Sequence, residues 1–172
     1  MSQTVNISYE ETLEMAANYF HNEEFEKSHK VALEIIHSQP TYLEPYRLLA
    51  HICHAQNLYE EGLTWINKAL EACHEITAPT YFIQSLLLSS LKKIPEAKIA
   101  LKKILDLDPR NTEAIKKYAN LCLDHTNPSS CKEALPTLKV VIESFSEEDS
   151  FFPRICNYIG AAYLYQRKFT KA

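Results

Sequence analysis

Apolar residues return three and four positions apart along most of the chain, and short polar breaks interrupt them at regular distances. The clearest stretch runs from Tyr46 to Ala69. It reads Tyr46-x-x-Leu49-Ala50-x-x-Cys53, a polar break at Gln56-Asn57, then Tyr59-x-x-Gly62-x-x-x-Ile66-x-x-Ala69. Each half carries one apolar stripe on the helical period, so the stretch predicts two amphipathic helices joined by a tight turn. Small Ala50 and Gly62 fall one on each helix, where two crossing backbones would touch most closely. The same reading predicts helices near 8–21, 24–38, 43–56, 59–74, 78–91, 95–107, 112–125, 130–145 and 152–166. Ser8-x-x-Glu11 has the form of a capping box. Asn57 suits a left-handed turn position, and Pro95 fits the first turn of a helix, where its missing amide hydrogen costs nothing.

These pairs recur. The small residue of each first helix is Ala16, Ala50, Ser85, Ala119 and Gly160, at intervals of 34, 35, 34 and 41 residues. The small residue of each second helix follows in step, at Ser28, Gly62, Ala97, Ala134 and Ala172. An aromatic or aliphatic residue opens the second helix at Phe25, Tyr59, Ile94 and Phe169, and Pro40 and Pro109 close the first and third units. Further matches are Tyr81-x-x-Gln84-Ser85-x-x-Leu88, Ala97-x-x-x-Leu101, and Cys156-x-x-Ile159-Gly160-x-x-Tyr163. On these residues the chain resembles a tetratricopeptide repeat array from about Ser8 to its end. No unit matches completely; Thr12 and Cys156 stand where the family has an aromatic. The resemblance implies an all-α, right-handed α-solenoid of antiparallel helix pairs. It also implies a single array over 1–172, with repeats at about 9–42, 43–77, 78–111, 112–152 and an incomplete 153–172.

Two places break step. The fourth unit has extra residues around Asn127-Pro128-Ser129-Ser130, and Pro136 lies inside its second helix, which should kink that helix or delay its start. The connection from Phe145 to Phe152 is long and acidic at Glu147-Glu148-Asp149. Both read as tolerated loop variation, with a binding insertion at 127–130 as the sharper alternative. At the far end a solenoid needs a polar cap over its last apolar face. With none visible, Ile155, Ile159, Tyr163 and Leu164 should be partly bare. The expectation is a piece of a longer chain, or self-association through this C-terminal helix.

Composition narrows the function. Two glycines in 172 residues leave little room for hairpins or phosphate-binding loops. A net charge of −4, with basic residues scattered in pairs such as Lys92-Lys93, Lys102-Lys103 and Lys116-Lys117, gives no footprint for nucleic acid or an anionic membrane. No apolar run reaches the roughly 20 residues of a membrane span, and the N-terminus lacks the basic start and apolar core of a secretory signal. The five cysteines include no Cys-x-x-Cys, and Cys53, Cys122 and Cys156 sit at expected core positions. A reducing, cytoplasmic setting follows.

Candidate chemistry is sparse. His51 and His54 share a helical face, yet His-x-x-His without the glutamate and spacing of a zinc-protease helix is a weak metal motif. The acidic pairs Glu23-Glu24 and Glu60-Glu61 are turn and helix-start residues. No nucleophile elbow or phosphate loop is present, so no catalytic, cofactor or metal residue is assigned. A helical array offers instead a concave surface lined by its first helices. Helical spacing puts Leu13, Ala17 and Phe20 on it, then Arg47, His51 and His54, then Phe82, Leu86 and Ser89. Lys116, Asn120 and Leu123 follow, with Asn157, Ala161 and Leu164 at the end. The binding groove is expected to rest on Arg47, His51, His54, Phe82, Leu86, Lys116, Asn120 and Asn157, a mixed strip suited to a peptide or helix. Some members of the family clamp a chaperone tail's carboxylate. That pattern falls on Leu13, Ala17, Leu48, Pro79 and Ile83, none of which donates to a carboxylate. One unit later it falls on Arg47, His51, Ile83, Glu113 and Lys117, an interrupted match. The expected function is a non-enzymatic adaptor or scaffold that binds a protein segment. The second reading is the recognition arm of a transferase-type enzyme whose catalytic domain lies beyond Ala172.

Overall fold

The computed structural model describes residues 8–123 and 128–169, and these form nine α-helices with no strand among them. They are α1 (Tyr9–His21), α2 (Phe25–Ser38), α3 (Leu43–Ala55), α4 (Tyr59–Ala72), α5 (Ala78–Ser90), α6 (Ile94–Leu107), α7 (Thr112–Cys122), α8 (Pro128–Ile142) and α9 (Phe152–Phe169). The Asn127 end of the predicted insertion, and Thr170 to Ala172, lie outside the described residues. The helices fall into two compact units. One holds the residues up to Ile76 with Leu86–Leu91; the other holds Thr77–Ser85 and the residues from Lys92 onward.

In the first unit, α1 opens with the predicted capping box. The Glu11 amide donates to Ser8 Oγ at 3.2 Å, and the Ser8 amide donates to Glu11 Oε2 at 2.9 Å. Each pair turns on one residue in the left-handed region, Glu23 at φ 60° and Asn57 at φ 61°. The amide of Glu24 then donates to the Tyr19 carbonyl, and that of Leu58 to the Cys53 carbonyl, so orphan helix-end groups are satisfied. Small residues set the crossings. Ser28 Oγ donates to the Ala16 carbonyl at 2.7 Å, fully buried, which two bulkier residues would prevent. A Cβ on Gly62 would lie 2.9 Å from Leu87 Cδ2 and 3.1 Å from Cys53 Cβ, so α4 meets its neighbours at glycine distance. Ala32, Leu49 and Ile52 form one core with Phe20, Phe25 and Trp65 against it; Leu43, Tyr46, Ala69 and Cys73 form the next.

The second unit builds one larger core from Leu101, Ile104, Ile115, Tyr118, Leu138 and Ile155 with their neighbours. Asn111 caps α7 by accepting from the Ala114 amide at 3.0 Å, and Pro95 sits in the first turn of α6 as expected. Helix α8 runs through Pro136 instead of starting after it, with the proline ring on an exposed position. The long connection after α8 is pinned from outside. Arg110 donates to the Ser144 carbonyl at 2.7 Å and to Asp149 at 2.8 Å, while its guanidinium lies 4.7 Å from the Phe145 ring centre. The Arg110 hydrogen bond, followed by the Ser146 amide, holds the Asp149 carboxyl below its usual range.

Helix α9 departs from the repeat register. Cys156, predicted as core, is exposed, and a Cβ on Gly160 would meet nothing within 4 Å. The helix instead buries Ile155 and Ala162, with Tyr158 and Ile159 half-buried, while Tyr163 and Leu164 are exposed. Among the described residues nothing packs on the Cys156–Gly160 side of the helix, so its glycine serves no crossing. Gly160→Ala should therefore stabilise the chain by about 0.5–1 kcal/mol, the usual helix-interior gain. Chemical denaturation measures this; a loss of stability would place a close neighbour at Gly160.

Candidate functional site

The predicted groove residues divide between the two units, and each set stands by itself. In the first unit α1 and α3 place Phe20 beside His51, ring centres 6.4 Å apart, and Phe20 also meets Phe25 at 5.8 Å. One turn further along α3, His54 lies 5.6 Å from the Tyr59 ring. The helical period brings this about, since Arg47, His51 and His54 recur along one face while Leu49, Ala50, Ile52 and Cys53 turn into the core. His51 is exposed; Arg47 and His54 are half-buried. Desolvation of the His51 ring, then the charges of Arg47 and His54, push its pKa down from the ordinary 6.5. The imidazole is therefore neutral near pH 7, a donor and acceptor beside an aromatic ring. Such a face can hydrogen-bond a peptide and stack on an apolar side chain.

In the second unit Phe82 is half-buried against the core, and Lys117 Nζ lies 5.4 Å from its ring centre. The lysine that meets this ring is thus Lys117, whereas Lys116 approaches Glu113 Oε2 at 3.4 Å and lies over Phe151 at 5.8 Å. Asn120 and Asn157 are exposed on α7 and α9, and Leu123 packs partly into the core. Leu86, in the first unit, is half-buried. Two surface recesses contain none of these residues. One lies at Glu23–Lys27 and Gln56, the other between Lys102, Asp106, Pro109, Pro136 and Val140. Among the described residues no cluster of three or more His, Cys, Asp or Glu could hold a metal, and no helix is long and apolar enough to cross a membrane.

One polar cluster escaped the sequence reading. Lys98 is only 4% exposed, and its Nζ reaches Glu133 Oε2 at 3.2 Å, with Lys102 at 3.6 Å from the other oxygen. Tyr118, fully buried, shares its hydroxyl with Thr137 at 3.2 Å and donates to the Glu133 carbonyl at 3.3 Å. Burial pushes the nearby Cys122 thiol up to about 11, so it remains an unreactive thiol. The signal was available: Lys98 lies three and seven residues before Leu101 and Leu105, on the buried stripe of α6. The cluster links α6, α7 and α8, and the buried Lys98 ammonium is compensated by a Glu133 carboxylate whose own side chain is 44% exposed.

Residues 78–111 match the sequence profile of the tetratricopeptide repeat. No curated protein sequence matches the chain. Among solved structures it is similar to YrrB, described as a TPR protein with an unusual peptide-binding site, with TM-score 0.70 and 17% identity over 95% of this chain and 80% of that one. It is also similar to the first TPR of Spaghetti (RPAP3) bound to the HSP90 peptide SRMEEVD. There the TM-score is 0.62 and the identity 17%, over 66% of this chain and 91% of that one. A third similarity is to Naa15/Naa10 bound to HypK-THB, with TM-score 0.69 and 16% identity, over 95% of this chain but 24% of that one.

Proposed function

We propose that this chain, a tetratricopeptide repeat protein, is a non-enzymatic adaptor that binds a peptide or helical protein segment along the concave faces of its first helices. The carrying observation is the face shared by α1 and α3, where His51 lies beside Phe20, itself partly packed on the core, and His54 lies beside Tyr59, adding hydrogen-bonding ring nitrogens to an aromatic surface. The Phe82–Lys117 face of the second unit sets a cation over an apolar ring. Two of the similar structures are described as peptide-binding or peptide-bound, which favours the same use of this fold here. A cytoplasmic site of action accords with the buried, unreactive thiols of Cys53 and Cys122.

The test takes peptides selected from a displayed library against the intact chain and measures their affinity by calorimetry. Arg47→Ala combined with Lys116→Ala should weaken binding about tenfold, or 1.4 kcal/mol, while the helical circular dichroism stays unchanged. Undiminished affinity would place the ligand on another surface.

A further inference from the structure

We propose, on the reading that this fold holds a protein segment, that the second unit takes an acidic, extended one whose carboxylates meet Lys116 and Arg154. Helices α7 and α9 carry the same device, a cation and one turn later an exposed carboxamide: Lys116 with Asn120, and Arg154 with Asn157. The Phe151 ring shows that the two helices bring these cations to one place. Lys116 Nζ and the Arg154 guanidinium each lie 5.8 Å from its centre, and the ring is packed against the unit's core. A third cation, Lys117 of α7, lies 5.4 Å from the centre of the Phe82 ring on α5.

Two positive groups drawn to one ring repel each other, and little in the chain offsets their charge. Lys116 meets Glu113 at 3.4 Å, an exposed pair three positions apart of the kind that water screens and a ligand displaces. Among the described residues no carboxylate is in ion-pair contact with Lys117 or Arg154. Asp149, two positions before Phe151, is already held by Arg110 and the Ser146 amide. A carboxylate between Lys116 and Arg154 relieves the repulsion through charge-assisted hydrogen bonds. The ring holds both cations in place beforehand, which lowers the ordering cost of binding. Asn120 and Asn157 each add an amide donor and a carbonyl acceptor, the two partners that a main-chain peptide unit needs. Acidic side chains and extended backbone are thus recognised side by side. The net charge of −4 favours a short acidic segment over a long polyanion such as nucleic acid, which must also pass the acidic remainder of the chain.

Random peptides displayed with their C-termini fused to a phage coat protein, and so without a free terminal carboxylate, are selected against the intact chain. Those recovered should be richer in Asp and Glu than the starting library. One of them, synthesised with an amidated C-terminus, should bind more weakly as salt rises. Its affinity should fall about tenfold in Lys116→Gln combined with Arg154→Gln, and stay unchanged in Lys68→Gln on the first unit. The reversal Lys116→Glu with Arg154→Glu should turn selection toward Lys and Arg, a gain that no loss of folding can mimic. Binders without acid enrichment overturn the acidic ligand and leave segment binding standing; a selection that yields no binder overturns both. Acid-rich peptides indifferent to the double variant overturn the location. A single-stranded oligonucleotide that binds as tightly as the peptide, and weakens in the same double variant, makes this a phosphate-binding face and overturns the protein partner.

Discussion

Tyr118→Ala is expected to cost about 3–5 kcal/mol, the usual range for deleting a buried aromatic side chain. Tyr118 is fully buried at the centre of the second unit's core, among Ile115, Ala119, Cys122, Ala134 and Leu138. It is also the largest of the fully buried side chains, so its removal leaves the largest void. Tyr118→Phe separates packing from hydrogen bonding. It removes only the hydroxyl, whose contacts to Thr137 and the Glu133 carbonyl are 3.2 and 3.3 Å, and should cost about 1 kcal/mol. Urea denaturation followed by circular dichroism measures both variants. A Tyr118→Ala midpoint equal to wild type would mean that the core is centred elsewhere.

Ala50→Leu is the second large effect, with the opposite physical origin. Ala50 is fully buried on α3, one turn before Cys53, whose Cβ already stands 3.1 Å from where a Gly62 side chain would begin. Three added carbons have no room there, and overpacking should cost about 1–3 kcal/mol. For a chain of this size that is a fall of about 2–12 °C in melting temperature. Gly62→Ala sharpens the point. Alanine gains about 1 kcal/mol in helix propensity, yet its Cβ meets fully buried Leu87 at 2.9 Å, so any gain is offset by displacing that leucine. If Ala50→Leu melts with the wild type, the crossing of α3 and α4 has been misplaced.

The two glycines show how far residue pattern carries and where it stops. Gly62 stands in the small-residue series of the second helices and Gly160 in that of the first helices, and spacing alone predicts a close crossing at both. Gly62 is buried at a crossing; Gly160 is exposed with open space around it. Pattern records where a contact belongs in a repeat, but only packing decides whether a second element fills it. The lysines make the same point. Lys98 lies in the core against Glu133 and Lys117 over Phe82, because helix phase set their direction and neighbouring helices supplied the partners.

By itself the sequence determined the helices, their pairing and their turns. These depend on local rules: the helical spacing of apolar side chains, Ser8 and Glu11 at a cap, a left-handed residue at Asn57, and small residues at crossings. Tertiary structure alone decided which members of the predicted strip carry rings and charges into contact, as Phe20 with His51 or Lys117 with Phe82, and that Arg110 reaches Ser144 and Asp149. Those contacts join residues thirty or more positions apart, and no local spacing encodes the distance between two side chains on different helices.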